Sequence, residues 1–554
     1  MGEDVAMDGP GHTLREAAPT ATAPRPPSRA DARAALAGFG AVEAIALPLL
    51  LWWGRGGWFT FDDWDLLSQR TVGSVHDLFL PHGDHWSTLP VLVYRLFWWA
   101  FGIRTYFPWQ LLVVLLHLTA AALLRAVMRR AGCAPWIATI FAGTFVFFGV
   151  AADTILVGFF MTFIGSLVFG LAHLLLADHD GRVDRRDWLG LLAGLAGLLF
   201  SGVAVTMVVV VGLAVLMRRG WRIALLHTVP LGALYLVWLA AIGTEGRRLP
   251  LTRPTPSEAA RFVAVGLRAT YGGLGQLPGV GLALAAMLIA GLVIARAELG
   301  PSFRSRAAMP VALLAGGVIF LGITGYGRAG QLLFFAGSGP ERARDSRYVY
   351  LVAAMALPAI ALAADAIIRR WRILVPLVLV LSILGLPGNV HKLAEFRDSY
   401  KSLHAERENI LIAPRVPFAS VLPRSVQPDS FHAPGLTLGW LIDGVRSGRV
   451  PAPSSPTRGD VATMTLKLAL AISAHTRVEP CVSLRGPTER VLRKGESVTL
   501  ARGNATIVYL DPSGARSRPV RFNRLLAAQL TLVALAGPLP LRITPIPSDN
   551  RLCG

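Results

Sequence analysis

Apolar runs of roughly twenty residues, the length that carries a helix across the hydrocarbon core of a bilayer, recur between Ala35 and Pro387. Such runs leave few folds open. In lipid every backbone N–H and C=O must be satisfied within the protein, by a helix or a closed barrel. Composition agrees: of 554 residues, 53% are hydrophobic and 16% charged, whereas a soluble chain carries about a quarter charged residues. Mean hydropathy is +0.52. The predicted class is an all-α polytopic membrane protein.

Arginines orient the spans, because positively charged turns stay on the cytoplasmic side. Residues 1–34, rich in Pro, Ala, Arg and Thr with no apolar period, read as a disordered cytoplasmic tail. The first run, about Ala35–Trp53, ends in Gly54-Arg55-Gly56-Gly57 instead of a cleavage site, so a retained anchor is expected. The loop from about Arg55 to Tyr106 then lies outside. Within it Leu89–Gly102, short, Trp-rich and bearing Arg95, is expected to lie in the outer interface.

Spans then alternate through Phe107–Met128, Ala134–Val150, Thr154–Ala177 and a tight pair within Trp188–Leu216, broken near Ser201-Gly202. Ile223–Ile242, Gly279–Ala295, Ala308–Thr324, Arg347–Ile368 and Ile373–Pro387 follow, with outer loops at Gly243–Pro278 and Gly325–Ser346. The count is about eleven spans over residues 35–389, N-terminus inside and C-terminus outside. Inner turns carry paired arginines such as Arg129-Arg130, Arg218-Arg219 and Arg369-Arg370. The expected location is the plasma membrane, multi-pass.

The net charge of +20 is accounted for by these span-end arginines, which also meet anionic headgroups. No basic stripe with interleaved aromatics is present, so nucleic acid is not an expected partner; the bilayer is. Residues 390–554 have shorter apolar runs and more prolines. Ser497–Leu500, Thr506–Leu510, Leu530–Leu535 and Leu541–Thr544 read as strands between Gly, Pro, Asn and Asp turns. A small extracytoplasmic α/β or β-rich domain is expected there. Cys133, Cys481 and Cys553 have no metal-ligand spacing, and in an oxidising compartment Cys481 and Cys553 are able to pair.

Chemistry concentrates in Phe59–Trp86, a polar island between apolar runs. It holds Asp62, Asp63, Asp65, Asp77 and Asp84 with His76, His82 and His85. Carboxylates gathered at the mouth of a membrane bundle are costly to hold together and mark a functional site. Asp62-Asp63 suits general-base work, one carboxylate taking a proton while its neighbour's charge raises the pKa of the pair. The alternative is a solvated loop with helix-capping aspartates. His82, Asp84 and His85 suit either a divalent metal or a hydrogen-bond network within the loop. The Tyr271–Gly275 stretch has no strand before it and no Gly-Lys-Ser/Thr after it, and reads as a link before a span.

Three features together resemble the GT-C superfamily of membrane glycosyltransferases: Phe61-Asp62-Asp63-Trp64, the run His82–Arg95, and Ser346-Arg347-Tyr348 opening a late span. The nearest likeness is to the protein O-mannosyltransferase and lipid A aminoarabinose transferase type. The resemblance implies mannosyltransferase-like or arabinosyltransferase-like chemistry on a polyprenyl-phosphate-linked sugar, with inversion at the anomeric carbon. Asp62 or Asp63 would deprotonate a hydroxyl of a glycan, lipid or protein acceptor on the extracytoplasmic face. Arg347, Tyr348, Arg328 and Arg342 would hold the donor phosphate, arginine supplying fixed charge in fork geometry. His82, Asp84, His85 and Trp86 would contact acceptor or sugar, with Trp86 stacking on a ring. No cofactor is required; a divalent metal on His82, Asp84 and His85 is the alternative. Competing readings are a transporter or flippase of lipid-linked sugar, and a non-catalytic envelope-assembly protein.

Overall fold

The computed structural model describes residues 28–245, 253–330, 339–473, 481–483, 486–500, 504–523, 530–546 and 551–553. Among these, nine helices are long and apolar enough to cross a membrane. The chain is a mostly helical membrane protein with a region of small β-sheets at its C-terminal end.

The first helix runs Arg29–Trp53 and begins six residues earlier than the apolar run does, because Ser28 and Asp31 form a reciprocal capping box ahead of it. Residues 1–27 of the expected tail lie outside the described residues. Helices Arg185–Phe200 and Val203–Arg219 break at Ser201-Gly202, as the length of the run requires. At 16 and 17 residues they are shorter than the nine. Ser346–Arg370 is the central column of the bundle, with 94% of its apolar stretch buried. Its many alanines allow close approach: a Cβ at Gly291 would stand 2.4 Å from the carbonyl oxygen of Ala363.

The expected loop Gly243–Pro278 contains a helix, Pro256–Gly275. Thr255 and Glu258 cap it reciprocally, and Phe262, Gly266, Thr270 and Gly273 are buried. Tyr271–Gly275 is its last turn and no free link: a Cβ on Gly281 would stand 2.5 Å from the Tyr271 carbonyl oxygen. Arg253 opens the segment before this helix, and Arg247 and Arg248 lie outside the described residues.

The turns segregate to two faces. Arg130 and Arg218 converge on Asp178, Arg219 pairs with Asp187, and Arg369 pairs with Asp365 beside the turn at Ala134. The Asp-rich loop lies on the opposite face together with Arg328, Arg347 and the Ser201-Gly202 break.

Residues 429–450 clamp the Asp-rich loop, so loop and C-terminal region share a face. Phe61 N–H donates to the His432 carbonyl (2.8 Å), Ile103 N–H donates to the Arg449 carbonyl (2.9 Å), and Trp98 packs on Trp440 at 4.3 Å. Helix Leu386–Ser399 runs across position 390, where the sequence places a domain boundary.

Beyond helix Arg458–Ala469 the strands form two antiparallel sheets. One orders Thr488–Leu492, Leu539–Ile546, Asn504–Tyr509 and Val520–Asn523. The other orders Leu470–Ser473, Leu530–Ala534, Ser497–Leu500, Arg551–Cys553 and Cys481–Ser483. The four expected strands are all present, shifted by one or two residues at most ends and lengthened to Ile546 in the last. The pairing of Arg551–Cys553 with Cys481–Ser483 sets Cys481 opposite Cys553; the side chains of that expected pair lie outside the described residues. Cys133 is buried and free.

Candidate active site

An aromatic box seats the loop. The Phe59 ring lies 4.9 Å from Tyr106 and 4.8 Å from Trp109, edge to face, and Trp64 Nε1 donates to the Phe59 carbonyl (3.1 Å). Phe61 then turns the chain with φ +40°, a region a non-glycine residue occupies at a cost on the order of 1 kcal/mol or more. The turn is held by the His432 carbonyl. It starts a helical turn at Asp62, and successive residues of a helix face about 100° apart. The two aspartates therefore part company.

Asp63 turns inward and is fully buried. The Thr60 N–H donates to its Oδ2 (3.0 Å), as does the Tyr106 hydroxyl (3.4 Å), and the Tyr94 hydroxyl donates to Oδ1. Burial pushes its pKa up to about 7, against the pull of these hydrogen bonds, and the neighbouring Asp62 charge adds to the rise. Tyr94 comes from helix Thr88–Phe101, which leaves Leu92, Leu96, Trp99 and Phe101 exposed.

Asp62 turns outward, with 48% of its side chain exposed, and its Oδ1 lies 3.3 Å from His82 Nε2. The surrounding walls push its pKa up, but the His82 hydrogen bond and the charges of His82 and Arg347 outweigh them. The carboxyl is held below its usual range. His82 sits on a hairpin, Pro81–His82 against His85–Trp86, turned by Gly83 at φ +58°. His85 is pushed down to about 4 by burial and by the Arg328 charge, so its imidazole is neutral at pH 7.

A cavity of about 520 Å³ opens beside this hairpin. Asp62, His82, Asp84 and His85 line one wall, and Arg328, Arg347 and Tyr348 another. Phe163, Val203, Leu239, Phe320 and Ile323 line its apolar remainder. Arg328 Nη2 donates to Asp84 Oδ2 (2.8 Å), tying the hairpin to the end of helix Ala308–Arg328. Arg347 Nη2 donates to Asp345 Oδ2 (3.0 Å), and its guanidinium lies over the Tyr348 ring at 5.1 Å. The cavity thus joins two carboxylates, two guanidinium groups and an apolar trough.

Two expected site residues stand elsewhere. Arg342 is buried in the turn Gly339–Arg344 and does not line the cavity. Trp86 is buried too: its ring stacks on Trp238 at 5.0 Å and 3°, and its Nε1 donates to Thr88 Oγ1 (2.9 Å). Its faces serve packing. Asp84 is turned to Arg328, so His82, Asp84 and His85 do not converge as a ligand set. The nearest candidate metal trio among the described residues here is Asp62, Asp65 and His82, with ligand atoms within 4.8 Å of one another.

The sequence reading passed over Asp153, Phe159 and Tyr235. Asp153 bonds the Thr154 N–H (2.7 Å) and Ser346 next to Arg347. Tyr235 and Phe159 line the cavity. An acid at the turn between two spans was a legible signal for Asp153; nothing distinguishes one aromatic of a span from another. Comparison with family models, with curated proteins and with solved structures yields no match for this chain.

Proposed function

We propose that this protein is a membrane glycosyltransferase that moves a sugar from a polyprenyl-phosphate carrier to a hydroxyl on the non-cytoplasmic face. One observation carries the reading: a single cavity presents Asp62, Arg347 and Arg328 at its polar end and an apolar trough at the other. That pattern suits an amphipathic donor with an anionic head and a hydrocarbon tail. Asp62 is the base. Its depressed pKa keeps it ionised, and it faces the cavity while Asp63 does not. Asp63 and its tyrosines are positioning residues that fix the turn carrying Asp62.

In this reaction the acceptor oxygen attacks the anomeric carbon from the side opposite the phosphate. Asp62 takes the hydroxyl proton as the new C–O bond forms. The anomeric carbon–oxygen bond to phosphate breaks, leaving the lipid phosphate with both electrons. Arg347 and Arg328 stabilise the charge that develops there. No metal step is required in this account. The likeness to GT-C enzymes in the Asp pair and in Ser346-Arg347-Tyr348 supports the same assignment.

The test uses the full chain reconstituted in nanodiscs with polyprenyl-phosphate mannose or arabinose as the probe. Wild type transfers sugar or releases it to water. Asp62→Asn loses that turnover by about 10²–10⁴-fold and still binds the donor. Unchanged turnover in Asp62→Asn overturns the assignment, as does wild-type protein that moves the intact donor across a bilayer without cleaving it.

A further inference from the structure

An aromatic corner adjoins Asp62 along the chain, and its residues are not among those that line the donor cavity. Phe61, next to the base, is 47% exposed, and Phe431 is 46% exposed. Their rings meet edge to face at 6.1 Å, and the His432 imidazole closes the corner at 4.6 Å from Phe431 and 6.0 Å from Phe61. Two large rings, each about half exposed and held together in this way, make an apolar patch beside the base, the kind of surface that binds a ligand.

The rim is polar and acidic. His432 Nδ1 lies 3.0 Å from Asp429 Oδ2 and its Nε2 lies 3.4 Å from Glu406 Oε1. Asp429 Oδ1 also accepts the N–H groups of Phe431 (3.0 Å) and His432 (2.9 Å), which fixes the loop. The corner is joined to the catalytic turn by the hydrogen bond from Phe61 N–H to the His432 carbonyl, at the strained φ of Phe61. Strain of this kind persists only where the surroundings over-determine it, and it gathers at binding sites.

We infer that Phe61, Phe431 and His432 form the acceptor subsite and that its ligand is a neutral saccharide. The inference rests on the transferase reading. A pyranose has an apolar C–H face that packs on an aromatic ring and hydroxyls around its edge that hydrogen-bond carboxylates and imidazole. The carboxyl groups of Asp429, Glu406 and Asp62 at this rim accept hydroxyl donors. The Asp429 carboxylate, kept ionised against its burial by the hydrogen bonds of His432 and Phe431, disfavours phosphorylated glycans and anionic headgroups. A hydroxyl of a sugar seated here adjoins the carboxylate proposed to take its proton.

The test is saturation-transfer NMR on the full chain in nanodiscs, with neutral manno- and arabino-oligosaccharides as probes and a Ser/Thr-rich peptide as the contrasting one. Saccharide signal from the aromatic protons is expected in wild type and in Asp62→Asn. Phe431→Ala and Phe431→Leu, the latter keeping apolar volume without a ring, weaken binding at least tenfold; Phe431→Tyr restores it. Two results overturn the subsite: saccharide affinity unchanged in Phe431→Leu, or binding of the peptide but of no saccharide. Saccharide binding that depends on Phe431 in a protein that transfers no sugar keeps the subsite and removes the transferase reading. Transfer that is indifferent to Phe431 does the reverse.

Discussion

Asp62 and Asp63 are chemically identical neighbours with opposite environments, and their titrations differ accordingly. Asp63 has its folded pKa raised to about 7 from 3.8. The folded state therefore holds a proton that the unfolded chain has released between about pH 4 and 7, so this group's contribution to stability falls as pH rises through that window and is level above it. Asp63→Asn removes the dependence; thermal unfolding of the two proteins at pH 5 and pH 8 should show a smaller drop in the variant. Asp62 has its pKa lowered, so the acid limb of kcat/KM for transfer should fall below the ordinary carboxylate range of about 4. A limb near pH 7, with turnover lost in Asp63→Asn and kept in Asp62→Asn, would instead make Asp63 the base. Arg347→Lys keeps a charge but loses the fork, and should cost about tenfold or more in kcat/KM for the phosphate donor. An unaltered donor affinity and rate would remove Arg347 from the phosphate site.

At the scale of elements, the clamp between residues 429–450 and the first loop depends on backbones that approach closely. Gly102 has φ +58°, and a Cβ there would stand 2.2 Å from the Arg449 carbonyl oxygen. Gly102→Ala should destabilise by about 1–3 kcal/mol and should open 429–450 to proteolysis first. Equal protection in variant and wild type would show that the clamp is dispensable. Elements defined by periodic apolarity were legible: the broken pair at Ser201-Gly202, the helix Thr88–Phe101 and four strands of the C-terminal sheets. Helix Pro256–Gly275 was not, because Arg253, Pro254 and Pro256 at its start and Arg261 and Arg268 within it resemble a loop. Its Thr255–Glu258 capping box was the available signal. Asp62, Arg347 and Arg328 were legible as charges at span ends. That Asp63 points inward was not, since the turn at Phe61 that separates the two acids is set by a hydrogen bond to a residue 371 positions later. The burial of the hairpin residue Trp86 was not legible for a similar reason: its stacking partner, Trp238, belongs to a span far along the chain.

For the molecule as a whole, the two faces differ in kind, one laced with Arg–Asp pairs and one carrying the Asp-rich loop and the C-terminal region. Exposed Arg182 and Ser454 sit on opposite faces. With the three native cysteines replaced by serine, Arg182→Cys and Ser454→Cys should react with a membrane-impermeant maleimide from opposite sides, Ser454→Cys from outside. Labelling of both from one side would undo the topology. The helix Thr88–Phe101 adds a further constraint. It grips Asp63 through Tyr94 and shows Leu92, Leu96 and Trp99 to its surroundings on the other side. If, as proposed, those side chains sink into the lipid boundary and the protein is a transferase, the helix acts as a spacer: it would hold the carboxylates at one altitude above the bilayer, so that only hydroxyls arriving at that altitude come within range.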